Sequence, residues 1–543
     1  MDATRAQAPA VLPARADVPP APPVARTTAG YVKGERTGGV IAFRGIPYAA
    51  APVGPLRFAS PRPPAAWSGV RDAGQAAGTF LQPDGTGSED ALYVNVWTPS
   101  THQTTARPVL VHVHGGSWSS GGAAGVDGAR LAERGDVVVV TFGHRLGVFG
   151  FGLHEELADP ETGSYANWGL QDQVAALRWT HENAAAFGGD PGNITLVGAE
   201  AGGASVHQLA LLPVTRPLIR RIVPVRPAHV RAPGLCLTAE DARTVYDTLA
   251  ARFGTTVPGL RAVPAAELNA AWHRLFSVRP EERPVRSGRH YRGPVLDGVW
   301  LRAYDHEQPP PELPVLSVYA APGLPPAGPG PADEAELRTW ITELLRQADP
   351  AADRTAADEV LRAYRAAALA EGRTAGLPSL WAAIREDAHF RHPVLRMADR
   401  HARAGRWPQY VLELALPAAA HPADPAHPAG PAGPAHPAAA HEAAVALLFG
   451  TRGPAGHLAG AADTDGQPSR EPTEAGEVLA DLVVSFARTG VPRAPRVPDW
   501  PALSPGRPRA LVLGGAAVAR TGALPQQGQL RFWDDTGRVP GRA

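Results

Sequence analysis

One stretch constrains this chain more than any other: Asn193-Ile-Thr-Leu-Val-Gly-Ala-Glu-Ala-Gly-Gly-Ala-Ser-Val206. Ile194 to Val197 is an apolar, β-branched run of strand length, and it meets a cluster of small residues followed by a helix-compatible segment. The expected order is strand, sharp turn, helix. Gly198 and Gly202 leave room for a tight turn, and between them stands Glu200, a carboxylate where the backbone bends hardest.

The first half of the chain fits around such a strand. Val109 to His114 and Val137 to Thr141 are short, mainly apolar runs, the pattern of strands buried on both faces of a parallel sheet. A Gly/Ser loop, 115–128, and a short helical piece around Ala129 to Arg134 lie between them. Leu170 to Ala186 has helical spacing, with Leu170, Val174, Leu177 and Ala185 on one face. Strands alternating with helices predict an α/β architecture with a mostly parallel central sheet flanked by helices. Beyond Leu211 the pattern weakens. Residues 216–231 are crowded with arginine and proline, and 309–331 is a Pro-rich loop around one strand, Val315 to Tyr319. Glu334 to Arg346 and Ala356 to Ala370 read as helices, and another runs from near Glu474 to Gly490.

Charge and length exclude several function classes. Lys plus Arg equals Asp plus Glu at 52 each, so there is no electrostatic footprint for nucleic acid or an anionic membrane. The longest apolar stretch, 137–151, is interrupted by His144 and Arg145 and is too short to span a bilayer. The Ala/Pro-rich start has no continuous apolar segment of the signal-peptide kind, so a cytoplasmic location is expected. The single cysteine, Cys236, excludes a disulfide within the sequence. No motif asks for a cofactor. His421, His427 and His436, with Asp424, could gather a metal, but their spacing in a low-complexity Ala/Pro/His stretch (421–440) matches no standard ligand pattern and reads as solvated loop.

Several motifs together resemble those of type-B carboxylesterases, the cholinesterase-like family. They are Phe43-Arg-Gly-Ile-Pro-Tyr48, Pro52-Val-Gly-Pro-Leu-Arg-Phe58, Ser88-Glu-Asp-Ala-Leu-Tyr-Val-Asn-Val-Trp97, His114-Gly-Gly116, Arg145-Leu-Gly-Val-Phe-Gly-Phe151, Asn167-Trp-Gly-Leu-Gln-Asp-Gln173, Phe187-Gly-Gly-Asp-Pro191 and Phe486-Ala-Arg-Thr-Gly490. The resemblance implies an α/β-hydrolase fold over residues 29–535, with long insertions forming a gorge, between a stretch at 1–28 whose Pro/Ala-rich composition reads as a disordered tail and a C-terminal tail at 536–543. It also implies that Gly198 to Gly202 is the nucleophile elbow, the turn that lifts a serine hydroxyl above the sheet. Gly115, Gly116 and the amide of Ala201 then take the places of the oxyanion hole. His441, which opens the ten-residue segment ending in Phe449-Gly450, takes the place of the base.

The departures from the family pattern carry the functional reading. Glu200 replaces the serine, Pro322 falls where the orienting acid belongs, and Ala91 replaces a disulfide cysteine. Serine-type acyl transfer needs a hydroxyl, a base and an orienting carboxylate, and losing one costs many powers of ten. Ser205 should face packing, and Ser117, Ser119 and Ser120 on the oxyanion loop are not expected to substitute. Asp333, Glu334 or Glu336 could replace the lost acid, whereas Asp297, Asp172 and Asn167 read as structural.

Three readings of Glu200 remain. The preferred one makes Glu200 and His441 an acid/base pair for cyclisation, elimination, isomerisation or rearrangement of an apolar, carbonyl-containing small molecule. In the second Glu200 locks an inert binding scaffold, its carboxylate folding into the oxyanion hole or pairing with His441. In the third it is a carboxylate nucleophile, for which glutamate is one methylene longer than the aspartate used at such elbows.

Overall fold

The computed structural model describes residues 22–102, 106–227, 236–278, 282–285, 292–304, 307–320, 330–346, 349, 351–373, 375–415, 438–450, 474–505, 509–514, 519–523, 529–530 and 532–533. Its strands are β1 (Val24–Arg26), β2 (Tyr31–Lys33), β3 (Glu35–Thr37), β4 (Val40–Pro47), β5 (Val70–Asp72), β6 (Tyr93–Thr98), β7 (Arg107–Val113), β8 (Val138–Phe142), β9 (Gly189–Ala199), β10 (Arg221–Val225), β11 (Val315–Ala320), β12 (Gln409–Ala415), β13 (Arg509–Gly514) and β14 (Ala519–Ala523). Its helices are α1 (Ala129–Gly135), α2 (Gly147–Gly150), α3 (Trp168–Asn183), α4 (Ala201–Leu211), α5 (Ala239–Arg252), α6 (Ala265–Ser277), α7 (Glu334–Leu345), α8 (Arg354–Ala370), α9 (Leu377–Glu386), α10 (His392–Ala404), α11 (Ala438–Phe449) and α12 (Glu474–Thr489).

Among the described residues the main sheet has eleven strands in the order β14-β13-β12-β11-β10-β9-β7-β8-β6-β4-β3. The block from β8 through β7, β9, β10, β11 and β12 to β13 is parallel throughout, and antiparallel strands close both edges. The long, continuously apolar runs expected for central strands are found there: all seven residues of β7 and all five of β8 are buried. β9 lies in the middle, with Val109↔Ile194 and Val111↔Leu196 on one side and Ile222↔Leu196 on the other.

One apolar cluster on each face of the sheet gives the strands their burial. The first packs α3 and α4 residues such as Leu170, Leu177 and Leu209 against Val111 and Ile194. The second packs α12 residues such as Leu482 and Phe486 against Val197, Val223 and Leu412. Asp172 on α3 accepts Nε, Nη2 and the backbone amide of Arg145 at 2.7 to 3.0 Å, and both side chains are shut from solvent. Asn167 exchanges two hydrogen bonds with Val295, and Asp297 accepts the amides of Val299, Trp300 and Leu301. All three are the structural polar groups the sequence suggested.

The structure moves one boundary: β1 lies inside the stretch expected to be tail as far as residue 28, and it pairs antiparallel with β2. Residues 1–21, 534–543, Pro322, and His421, His427, His436 and Asp424 lie outside the described residues.

Candidate active site

The site is built at the carboxyl ends of β7 and β9, where ligands bind in open parallel sheets. β9 ends at Ala199, α4 begins at Ala201, and Glu200 between them has φ 52° and ψ −113°. A non-glycine residue held there costs roughly 1–3 kcal/mol, a strain found at functional turns. The backbone is fixed on both sides: the Glu200 amide donates to Val225 O at 3.0 Å and its carbonyl accepts from Ala204 N at 3.0 Å. Gly202 is obligatory, because a Cβ built there would lie 2.1 Å from Val113 O.

The loop after β7 faces this turn. Glu200 is 3% exposed, and its carboxylate lies against that loop. Oε2 accepts the amides of Gly116 and Ser117, both at 2.9 Å, and Oε1 accepts the Ser117 hydroxyl at 2.8 Å. Positive φ at Gly116 (108°), Ser117 (54°) and Trp118 (56°) turns these amides inward as a small anion nest. Of the three expected donors, Gly116 reaches the carboxylate, the amide of Gly115 does not, and Ala201 stands at the first position of α4. Ser117 was missed as a donor. The signal that would have found it is its place directly after the second glycine of His114-Gly-Gly116.

Histidines lie beneath the loop. The His114 and His144 rings stack at 4.4 Å and 5°. Burial, and then His144, push His114 down to about 3, while the Glu200 carboxylate pulls it the other way. Burial pushes His144 down to about 4, against the pull of its hydrogen bond with the Arg145 carbonyl. Both rings are therefore neutral at ordinary pH.

The remaining candidates divide cleanly. Ser205 is buried on α4 and accepts Trp118 Nε1 at 3.2 Å, as packing required. Asp333 caps α7 by accepting Glu336 N, Glu336 reaches back to Ala332 N, and Glu334 pairs with Arg338 and Arg365. These three acids are a helix-capping group at the surface. His441 falls on α11, and its side chain lies outside the described residues.

Residues 21–318, more than half of the sequence, match the sequence model of the carboxylesterase family. The chain belongs to the carboxylesterase family. It is 36% identical over 296 residues to a human cocaine esterase, covering 51% of this chain and 50% of that one. It is 36% identical over 299 residues to a fumonisin B1 esterase of Sphingopyxis macrogoltabida, with 52% of each covered. The chain thus spans about half the length of these curated relatives. A carboxylesterase structure from Geobacillus stearothermophilus superposes with a TM-score of 0.70 at 29% identity, over 94% of this chain and 99% of that one. The fold of this carboxylesterase-family chain is the α/β-hydrolase fold.

Proposed function

We propose that this member of the carboxylesterase family does not carry out serine-esterase turnover and acts by binding an apolar, carbonyl-containing small molecule. Glu200 stands where the family places its nucleophilic serine, and its carboxylate is an internal anion in the oxyanion site. The observation that carries this reading is the triple anchoring of that carboxylate by Gly116 N, Ser117 N and Ser117 Oγ. Acyl transfer is then blocked twice. No hydroxyl stands at the elbow, and the donors that would stabilise a tetrahedral oxyanion already hold a carboxylate.

A second reading keeps Glu200 as a general base beside His441. The Ser117 hydroxyl donating to Oε1 at 2.8 Å favours it, because a substrate hydroxyl or an acidic C–H taking that place would present its proton to the same oxygen. Two measurements separate the readings. Fluorophosphonate labelling and 4-nitrophenyl butyrate burst kinetics are expected to be blank, and stoichiometric serine labelling would overturn the loss of esterase chemistry. Comparing metabolites before and after incubation of a cell extract with the wild-type protein or Glu200→Gln tests turnover. The binding reading expects no change from either, whereas conversion by the wild type alone would establish the base.

A further inference from the structure

Arg292 is a half-buried guanidinium that has no counter-ion among the described residues. It lies 4.2 Å from the ring centroid of Phe276 and 5.7 Å from that of Trp272, two buried aromatics of α6. Its Nε is sealed from solvent with no hydrogen-bond partner, and among the described residues the side chain has no ion pair or hydrogen bond. Four buried arginines of this chain are matched by carboxylates: Arg57 pairs with Glu89, Arg145 with Asp172, Arg226 with Glu386, and Arg391 with Asp387 and Glu413, while buried Arg221 is held by Asn193 Oδ1 and the Ala487 carbonyl. Among the described residues, the ionisable groups felt at Arg292 add no negative charge. They are Arg283 and His273, and burial followed by Arg292 itself pushes His273 down to about 4. Burial also pushes Arg292 down to about 10, so the charged form lacks the solvation it would have in water. A cation left in that condition is costly unless an anion completes it.

Its position gives the omission a use. The next residue, Gly293, packs flat on the Trp118 indole, where a Cβ would come within 2.3 Å of Cε3. Trp118 follows Ser117 on the loop that holds Glu200, and its carbonyl accepts Gly147 N at 2.8 Å. Gly147 in turn lies against Trp272, 3.0 Å from where its Cβ would be. Arg292, the two tryptophans and the oxyanion loop are therefore one packed unit.

We propose that Arg292 is the binding residue for a carboxylate on a small-molecule ligand, its planar fork pairing with the carboxylate beside the oxyanion loop. The proposal rests on reading the site as a binding site and adds the charge of what it takes. Neutral apolar ligands would leave the guanidinium unmatched, and cations would be repelled.

The test uses 4-phenylbutyrate and its neutral isostere 4-phenylbutyramide, titrated by calorimetry against the full chain. The wild type is expected to prefer the carboxylate by about tenfold or more, the order expected for a hydrogen bond to a charged group. Arg292→Gln should abolish the preference and Arg292→Lys should keep part of it. Arg252→Gln, an exposed arginine at the end of α5, should change nothing. Melting curves of each variant check that it is folded. Equal affinity for acid and amide, no binding of either, or an Arg292→Gln protein that is folded and still selective would each overturn the assignment. Fluorophosphonate labelling of the same samples reads esterase loss separately, so a labelled protein with intact selectivity would sink that reading and keep the carboxylate site.

Discussion

Ser117 and Glu200 hold one another twice: the Ser117 amide donates to Glu200 Oε2 at 2.9 Å and its hydroxyl to Oε1 at 2.8 Å. The two residues are 83 positions apart, so this clamp ties the loop after β7 to the turn after β9. Removing the carboxylate strands inward-facing donors, each of which costs about 1–3 kcal/mol when left unsatisfied. Glu200→Ala is expected to lower stability by about 1–3 kcal/mol, with water recovering part of the loss, and Glu200→Gln by less because one oxygen still accepts. Urea denaturation measures both. An alanine variant as stable as the wild type would mean that the clamp does not form.

On the reading proposed above, placing a serine at position 200 should not restore esterase turnover. Glu200→Ser frees the donors and supplies a hydroxyl, but by the family resemblance Pro322 leaves the imidazole without an orienting acid. The other carboxylates suggested for that role are occupied at α7. A mis-oriented histidine costs about 10⁴ in turnover, so hydrolysis of 4-nitrophenyl butyrate should stay about four powers of ten below an intact esterase. Rates within tenfold of an intact enzyme would require another carboxylate orienting the imidazole.

The elbow was legible in sequence because its cause is local. Gly198 and Gly202 are spaced for a turn in which a Cβ at either position meets backbone at 2.3 Å or less. Which of the three readings of Glu200 to prefer was not legible, because its partners depend on positive φ at Ser117 and Trp118, residues for which such backbone has no sequence signature. β10 was lost to a different competition. Arg221 and Pro224 make Arg-Ile-Val-Pro-Val read as loop, yet pairing with β9 on one side and β11 on the other buries all five residues. β1 was lost inside a Pro-rich start, since three residues carry no periodicity until β2 arrives to pair with them.

Arg145 and Asp172 anchor α3 beneath the site, and neither side chain reaches solvent. Breaking such a pair on one side leaves a buried charge, at a cost of about 3–5 kcal/mol. Asp172→Asn should fall in that range by thermal melting, and Asp172→Ala further, since Arg145 then keeps only carbonyl partners such as Ala59 O. A change below 1 kcal/mol would show that the surrounding carbonyls suffice.

Stability should fall as the solution is acidified through the histidine range. Burial holds His112 and His114 at about 3 and His144 at about 4, against about 6.5 in the unfolded chain. Their folded values are depressed, so the unfolded state binds more protons between these limits. Their contribution is complete above pH 6.5 and is lost as pH falls toward the folded values. His401 at about 3 adds to the same slope, and His273, held at about 4 but partly open to solvent, adds less. Burial raises Asp387, Glu413 and Asp297, so these carboxyls act in the opposite direction and make the slope shallower wherever they take up protons. The buried histidines outnumber these carboxyls, so a net fall is expected from about pH 6.5 to 5, each histidine contributing up to about 1.4 kcal/mol per pH unit once its unfolded form is charged. Denaturant midpoints measured every half unit across that window should drop steadily. Replacing His144, whose ring is fully buried against His114, by Asn should shift the whole curve down and make it shallower by about one proton. A curve flat from pH 6.5 to 5 would mean that these rings are solvated and able to protonate in the folded state.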